Sequence, residues 1–171
     1  MISLAPLNGR LLISNTDGKN LGEIRGVYLD RNVERGVAVF LGKTGLISRK
    51  EHLIDLKKVG LFGVDAWLLN GSDVVVSKED FPFGEEFVLA ETLQGREIRT
   101  DGGTRIGTVE DVLVDDKFAV LGFSLGKVFV QGPVGEAGAI ARGAITSLGD
   151  KNSAMIASLE QAEKLLLKKD E

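Results

Sequence analysis

One pattern occurs twice in this sequence, and the duplication limits the possible folds more than any other feature. The first copy runs from Leu7 to Asp30 and the second from Leu93 to Asp115. Each copy begins with Leu-x-Gly-Arg, continues as a short β-type run and reaches an Asp-Gly pair. The chain has 171 residues, so each copy has about 80 residues in which to form a core, which predicts two small units.

The Asp-Gly pairs predict a β-hairpin at the start of each copy. Asp-Gly between two apolar runs supplies the positive φ angles that tight hairpin turns require. Glycine also recurs at one equivalent place further along both copies, which indicates a shared constraint on the backbone. The residues that we assign to structural turns and strands are Gly9, Asp17, Gly18, Gly22, Gly95, Asp101, Gly102 and Gly107.

The strand that follows each hairpin carries apolar side chains on both of its faces. In the first copy Val27 and Leu29 alternate with Tyr28, and the second copy has three apolar residues, 112–114, in the same places. Because neighbouring side chains of a strand point to opposite faces, this pattern predicts a strand that is covered on both sides.

Two further strands are expected in each copy. The third runs from Gly36 to Leu41 in the first copy and from Val120 to Leu125 in the second, and each is followed by Gly-Lys. A fourth strand is expected to include Leu46 and Ile47 in the first copy and Val128 to Val130 in the second. Short strands separated by turn signals predict a mainly β fold.

A connecting segment separates the two copies. Charged residues, Pro82 and Gly84 interrupt the apolar pattern there, as is typical of a connection. We place the boundary near Glu85, so that the first repeat with its connection occupies 1–85 and the second repeat occupies 86–171.

A single α-helix is predicted after the second repeat, from about 158 to 169. Ser158 with Gln161 three positions later forms a capping-box signature. Four apolar residues fall on one face of this helix: Leu159, Ala162, Leu165 and Leu166. That face either covers part of the same chain or binds a partner.

Composition excludes several classes of protein. The net charge of −4 disfavours a direct nucleic-acid binder, which needs clustered Lys and Arg to neutralise phosphates. No apolar run approaches the length needed to span a bilayer. The amino terminus lacks the features of a signal peptide, so we expect a cytoplasmic location. The absence of cysteine excludes a disulfide framework.

No recognisable catalytic or metal-binding constellation is present. His52 is the only histidine and there is no cysteine, so a zinc site would need an uncommon set of carboxylate ligands. Gly42-Lys43-Thr44 resembles the end of a phosphate-binding loop, but Val37 stands where that loop needs glycine. We therefore interpret Gly42-Lys43 as a hairpin turn, and predict no catalytic residues, no cofactor and no metal.

A few large apolar side chains remain as candidates for interaction with a partner. Trp67 aligns with Met155 of the second copy, which favours packing over a ligand platform. Phe81 and Phe83 flank Pro82; they either bury a seam between the units or form an exposed docking element. The complete candidate set is Trp67, Phe81, Phe83, Leu159, Leu165 and Leu166.

The order of these motifs resembles the PRC-barrel family. The resemblance is carried by Leu-x-Gly-Arg, the Asp-Gly turn, Ile-Gly-Thr-Val-Glu-Asp-Val from Ile106 to Val112, and Ile-Thr-Ser-Leu-Gly from Ile145 to Gly149. That family is named after the cytoplasmic domain of the photosynthetic reaction-centre H subunit and includes the C-terminal domain of the ribosome-maturation factor RimM. The resemblance implies two small PRC-type β-barrels in tandem, packed as a pseudo-symmetric pair, with a C-terminal α-helix.

The sequence departs from both named relatives. RimM has a different barrel before its single PRC unit and an aromatic pair just before Leu-x-Gly, whereas residues 86–92 contain one aromatic residue, Phe87. The H subunit carries a transmembrane helix, and no such segment is evident in this sequence. A true RimM is therefore not expected.

The resemblance implies a non-catalytic module that binds other proteins as an adaptor. An alternative is an accessory factor in ribosome or RNA maturation that binds a ribosomal protein. A second alternative is an enzyme with a pocket between the barrels. In each case the partner and the oligomeric state stay open.

Overall fold

The computed structural model describes residues 1–44 and 49–168. The predicted mainly β class is confirmed. The fourth strand predicted at Leu46 and Ile47, and the predicted end of the helix at residue 169, lie outside the described residues.

The first half of the chain is built of short strands. They are β1 (Ile2–Ser3), β2 (Leu11–Ser14), β3 (Asn20–Glu23), β4 (Gly26–Leu29), β5 (Gly36–Thr44), β6 (Lys50–Asp55), β7 (Val59–Phe62), β8 (Ala66–Leu69), β9 (Val75–Ser77) and β10 (Val88–Leu89).

The second half contains longer strands and the α-helices. The strands are β11 (Glu97–Arg99), β12 (Arg105–Val114), β13 (Val120–Val128), β14 (Ala139–Ala141), β15 (Ile145–Ser147) and β16 (Met155–Ala157). Helix α1 (Pro133–Ala137) precedes β14, and α2 (Leu159–Lys164) follows β16. Within the described residues, no helix is long and apolar enough to cross a membrane.

The chain forms two compact units, each of which contains one repeat. One unit comprises Ala5–Leu89, and the other comprises Met1–Leu4 together with the chain from Ala90 onward. Strand β1 precedes the first repeat in the sequence but pairs with β12 of the second. Strand β10 directly precedes the second repeat but pairs with β4 of the first. The repeat boundary near Glu85 stays a prediction.

In the unit Ala5–Leu89 the strands form two sheets. Their orders are β3-β2-β8-β7 and β10-β4-β5-β6-β9. The β2–β3 hairpin places Gly18 (φ 68°) in its turn. The prediction that the following strand is covered on both faces is confirmed, because all four residues of β4 are buried.

In the unit that starts at Ala90 the equivalent strands form one sheet. Its order is β14-β13-β12-β11-β16-β15, and β1 pairs with β12. The hairpin between β11 and β12 has Gly102 in its turn, but the positive φ angle belongs to Gly103 (88°). The N–H of Gly103 donates to the carbonyl of Thr100 at 2.9 Å, which closes a turn with Asp101 and Gly102 at its centre. The left-handed glycine follows this turn, as in a three-residue hairpin loop.

Strand register places Trp67 and Met155 at equivalent positions in the two units. Trp67 on β8 pairs in parallel with Leu12 on β2, and Met155 on β16 pairs in parallel with Ile98 on β11. All four side chains are buried. Each unit therefore has its own strand, β8 or β16, that pairs in parallel with the first strand of its hairpin.

The sheets of the described residues do not close into a barrel by continuous strand pairing. The prediction of a hairpin turn at Gly42-Lys43 is wrong, because β5 continues to Thr44. Gly42 has φ 99°, and the register with β6 shifts between Phe40 and Lys43. These features identify a β-bulge, which uses a glycine of positive φ as a turn does.

The separate fourth strand predicted at Val128 to Val130 is also wrong. Strand β13 extends through Val128, and residues 129 and 130 lie outside the strands.

The tail helix is shorter than the sequence predicts and packs within its own unit. The hydroxyl of Ser158 accepts the N–H of Gln161 at 3.2 Å, as the capping box predicts. Helix α2 contacts α1 and the 3-10 turn Arg142–Ala144. Leu165, which follows the last helical residue, is 46% exposed, whereas Ala162 is 1% exposed.

Candidate functional site

The Leu-x-Gly-Arg motif has the same geometry in both units. Leu7 and Leu93 are buried. Gly9 (φ 90°) and Gly95 (φ 80°) adopt a positive φ angle. Gly9 donates its N–H to the carbonyl of Ile24, and Gly95 donates its N–H to that of Val109, both at 2.8 Å. Since these angles disfavour any residue with a Cβ, the glycines of this motif serve the backbone.

The arginine of the motif links distant parts of each unit. The guanidinium of Arg10 donates to the carbonyl of Gly63 at 3.4 Å, and that of Arg96 donates to the carbonyl of Leu148 at 3.1 Å. Each bond joins the first hairpin to the turn after the edge strand β7 or β15. The arginines therefore stabilise the fold.

Gly22 and Gly107 occupy equivalent positions in the two copies, and each is required for a different reason. Gly22 has φ 124°, which a side chain disfavours. Gly107 has no such angle, but a Cβ there would meet the carbonyl oxygen of Lys127. The repeated glycine thus has a structural role in both units.

The aspartates that end this strand also act as turn acceptors. The carboxylate of Asp30 accepts the N–H of Glu34 at 2.7 Å, and that of Asp115 accepts the N–H groups of Lys117 and Ala119 at 2.8 and 2.9 Å. These aspartates therefore stabilise the turns that follow β4 and β12.

A polar groove of about 600 Å³ adjoins the second Leu-x-Gly-Arg motif. Glu97 lies on its wall and accepts hydrogen bonds from Arg99 at 2.9 Å and Arg105 at 2.6 Å. These bonds lower the pKa of Glu97 from 4.5 to about 2. At neutral pH this carboxylate is ionised and paired, so it is a poor general acid.

A second carboxylate cluster lies in the unit Ala5–Leu89. Glu51 accepts a hydrogen bond from the hydroxyl of Tyr28 at 3.0 Å and lies 3.2 Å from the ammonium of Lys78. Burial opposes the ionisation of Glu51, but the bonds from Tyr28 and Lys78 and the nearby charge of Lys43 outweigh it, so its pKa is lowered. The ammonium of Lys78 also lies 5.0 Å from the centre of the Tyr28 ring.

The His, Asp and Glu side chains do not converge on a metal site in the described parts of the chain. Over residues 1–44 and 49–168, no group of three or more His, Asp or Glu side chains is arranged to hold a metal ion. His52 lies on β6 and is half-buried. The enzymatic alternative stays a prediction.

The aromatic candidates from the sequence divide into buried and exposed residues. Trp67 is 1% exposed and packs edge-to-face against Phe62, with ring centres 4.8 Å apart. Phe81 is half-buried and packs against Phe87, with ring centres 5.2 Å apart. Phe83, in contrast, is 77% exposed. The sequence around Pro82 does not indicate which of the two phenylalanines is exposed.

The backbone of Phe83 adopts a left-handed conformation, with φ 60° and ψ 18°. An aromatic residue rarely adopts this region, and such strain often occurs at functional positions. The N–H of Gly84 donates to the carbonyl of Phe81 at 2.9 Å, and the N–H of Glu86 donates to that of Phe83 at 3.0 Å. A Cβ on Gly84 would meet the carbonyl oxygen of Lys78. The turn is therefore tightly constrained.

Four exposed carboxylates lie close to Phe83 in the sequence. Phe81 and Phe87 anchor the turn on both sides of Phe83, since both pack against the cluster around Tyr28. Only one of the four carboxylates forms an ion pair in the described structure, Glu86 with Arg31 at 3.7 Å. We name residues 79–86 the Phe83 turn; its exposed acidic members are Glu79, Asp80, Glu85 and Glu86.

The helical candidates belong to the unit that contains the second repeat. Leu159 and Leu166 are half-buried, and Leu165 is exposed. Because α2 packs within its own unit, only Leu165 offers a large free surface. Of the six candidate residues, Phe83 is by far the most accessible.

Comparison with known protein families matches residues 85–139 to the PRC-barrel domain. The matched segment is less than half of the chain and includes the second Leu-x-Gly-Arg motif, β11, β12, β13 and α1. It supports PRC-barrel membership for this part of the protein. No curated protein matches the chain.

Proposed function

We propose that this protein is a non-catalytic protein-interaction module built of two PRC-type barrels in tandem, packed as a pseudo-symmetric pair in the cytoplasm. The family match at residues 85–139 supports the PRC type for the second repeat. The same strand register around Trp67 and Met155 supports extending that type to the first repeat.

The repeated motif residues serve the fold, which favours residues outside the motifs as carriers of function. Leu7, Leu93, the motif glycines and the two arginines are buried, conformationally constrained or bonded to the backbone. The exposed Phe83 on its constrained turn is the observation that carries the proposal. A rigid, exposed aromatic residue can act as an interface anchor with little loss of conformational entropy on binding.

The charge around Phe83 indicates the chemistry of the partner. Four exposed carboxylates within residues 79–86 favour a surface that offers an apolar pocket surrounded by Lys or Arg. Such an interface should form faster at low salt, because added ions screen exposed charges.

The test is affinity capture from native cells with the full chain as bait and quantitative mass spectrometry as readout. Phe83→Asn removes the ring while retaining a residue that tolerates the left-handed backbone. We expect this variant to lose a basic protein that the wild-type chain captures. Phe129→Asn, at an exposed phenylalanine of the other unit, is the matched control and should retain it. Identical captured proteins for wild type and Phe83→Asn would contradict the proposal.

The same acidic turn favours a second candidate, an accessory role in ribosome or RNA maturation through a basic ribosomal protein. The chain should then co-sediment with ribosomal particles, and Phe83→Asn should release it. Recovery of the wild-type chain wholly in the ribosome-free fraction would exclude this alternative and leave the general interaction module.

A further inference from the structure

The polar groove beside the second Leu-x-Gly-Arg motif is built from features that the first repeat lacks. One wall contains β11, and the other is the loop between β15 and β16. That loop has seven residues, 148–154, whereas the equivalent loop between β7 and β8 has three. Strand register makes Glu97 and Arg99 equivalent to Leu11 and Ile13 of the first repeat. Since the first repeat folds without these charges and without the long loop, the fold itself does not require them.

Hydrogen bonds hold the β15–β16 loop in one conformation. The carboxylate of Asp150 accepts the N–H of Asn152 at 2.7 Å, and the hydroxyl of Ser153 accepts the N–H of Asp150 at 2.9 Å. The guanidinium of Arg96 donates to the carbonyl of Leu148 at 3.1 Å, which ties the loop to the chain just before β11. A groove that is formed in advance loses little conformational entropy when a ligand binds.

The two carboxylates that line the groove already accept hydrogen bonds from the protein. Oε1 of Glu97 accepts from Nε of Arg99 at 2.9 Å and from Nε of Arg105 at 2.6 Å. Oε2 of Glu97 accepts from Nη2 of Arg99 at 3.2 Å. Asp150 accepts from the backbone of its own loop. The carboxylates therefore create little demand for a cationic ligand.

The three cations that line the groove, in contrast, keep donors that the protein does not use. A guanidinium has five N–H groups and an ammonium has three. Arg99 uses Nε and Nη2 for Glu97, and Arg96 uses Nη1 for Leu148. The ammonium of Lys151 forms no hydrogen bond or ion pair with the part of the chain that the structure describes. This surplus of donors favours a ligand that is anionic and rich in acceptor oxygens.

We propose that this groove binds a small phosphate ester, with the phosphate on Arg96, Arg99 and Lys151. A phosphate monoester carries about two negative charges and several strong acceptor oxygens, and its geometry suits the guanidinium fork. The groove, at about 600 Å³, is larger than a phosphate group needs, so the organic part of the ligand has room as well. Gln94 and Asn152 line the same groove and offer amide groups to hydroxyls of that part, which favours the sugar-phosphate class. Such a site is additional to the protein-interaction function, since it takes a small molecule in the unit that contains the second repeat.

Titration of the full chain with ribose 5-phosphate, followed by NMR of the backbone amides, tests the site. The signals of residues 94–99 and 150–154 should shift in a saturable way at millimolar ligand. Ribose, which lacks the phosphate, and acetate, a weaker anion with fewer acceptor oxygens, should shift them far less. Equal shifts with ribose would show that the phosphate is not recognised, and equal shifts with acetate would show a site for any anion. Either result overturns the proposal, as does the absence of a saturable shift with ribose 5-phosphate.

Variants of the cations test the same contacts. Arg99→Gln and Lys151→Gln should each raise the dissociation constant for ribose 5-phosphate about tenfold, because each removes charge-assisted hydrogen bonds. Lys151 is exposed, so its substitution should leave the fold intact. Arg25→Gln is the matched control and should bind as wild type does. Arg25 belongs to the other unit and lies 3.8 Å from Glu23, two positions before it, as Arg99 pairs with Glu97. Wild-type affinity in either groove variant, or an equal loss in Arg25→Gln, overturns the proposal.

Discussion

At the scale of single residues, two positions adopt backbone conformations that the sequence does not predict. Val33 (φ 54°) and Phe118 (φ 62°) occupy equivalent turns, after Asp30 and Asp115, and both are buried. The aspartates could be identified as turn residues from the sequence. The left-handed conformation could not, because a β-branched valine and a phenylalanine are among the residues least expected there. Burial of their side chains compensates for the strain.

Repeated glycines, in contrast, could be predicted from the sequence as backbone constraints, though the physical reason at each position could not. Gly22 is constrained by its φ angle and Gly107 by the carbonyl of Lys127. The repeated glycine indicates that a side chain is excluded at this position. Only the three-dimensional structure shows whether the cause is a strained φ angle or a steric overlap.

Glu97 should make stability depend on pH in the acidic range. Its pKa is lowered from 4.5 to about 2 by Arg99 and Arg105. A carboxylate whose folded-state pKa is depressed stabilises the fold above its unfolded pKa, and this contribution is lost as the pH falls through the folded pKa. Glu97→Gln should therefore be less stable than wild type at neutral pH, with the difference declining between pH 4.5 and about 2.

Denaturant unfolding at several pH values measures this difference. Because an exposed ion pair contributes little to the free energy of unfolding, a direct titration of Glu97 is useful as well. The side-chain carboxyl resonance of Glu97 should shift near pH 2 in the folded protein. Glu163→Gln, at an exposed position on α2, is the control and should follow the wild-type profile. A stability difference that is constant with pH would show that the arginine contacts do not perturb Glu97.

At the scale of elements, similar sequences give different sheet continuity. The stretch after the first hairpin forms β3 and β4 in separate sheets, whereas its equivalent forms the single ten-residue strand β12. Alternation correctly predicted that β4 is covered on both faces. It could not predict the interruption at Ile24 and Arg25, because the side-chain pattern continues across it.

Helix α1 was missed because it is only five residues long, too short for an apolar period. Local signals were nevertheless present: Pro133 stands at the start of the helix, and Gly138 ends it with φ 63°. Proline at the first helical position and glycine just after the last are typical of helix ends. These residues could have indicated a single helical turn.

Helix α2 should stabilise the unit that starts at Ala90. Ala162 is 1% exposed where the helix meets α1 and the turn Arg142–Ala144. Ala162→Glu places an unpaired carboxylate there and should lower the free energy of unfolding by about 2 kcal/mol or more. Gln161→Glu, at the exposed neighbouring position, adds the same group and should have little effect. Equal thermal transitions for the two variants would show that α2 contributes little to the unit.

At the scale of the whole molecule, the exchange of short strands is the feature that the repeat pattern did not predict. β1 and β10 have two residues each, so neither has a measurable apolar period. Each pairs in the unit that contains the other repeat. A boundary inferred from composition locates the end of the repeated motif and carries no information about which unit a short strand joins.

Deletion of residues 2–4 should therefore weaken the unit that contains the C-terminal repeat, more than 80 residues away along the chain. Ile2 and Ser3 pair with Val114 and Leu113, and Leu4 is 3% exposed, with its N–H donating to the carbonyl of Val112 at 3.1 Å. Loss of that buried leucine alone should cost about 2 kcal/mol. Hydrogen exchange should accelerate in β12, while the equivalent strand β4, whose partner β10 is intact, keeps its protection. Unchanged protection in β12 would show that β1 is dispensable, and equal acceleration in β4 would show that the deletion acts on the protein as a whole.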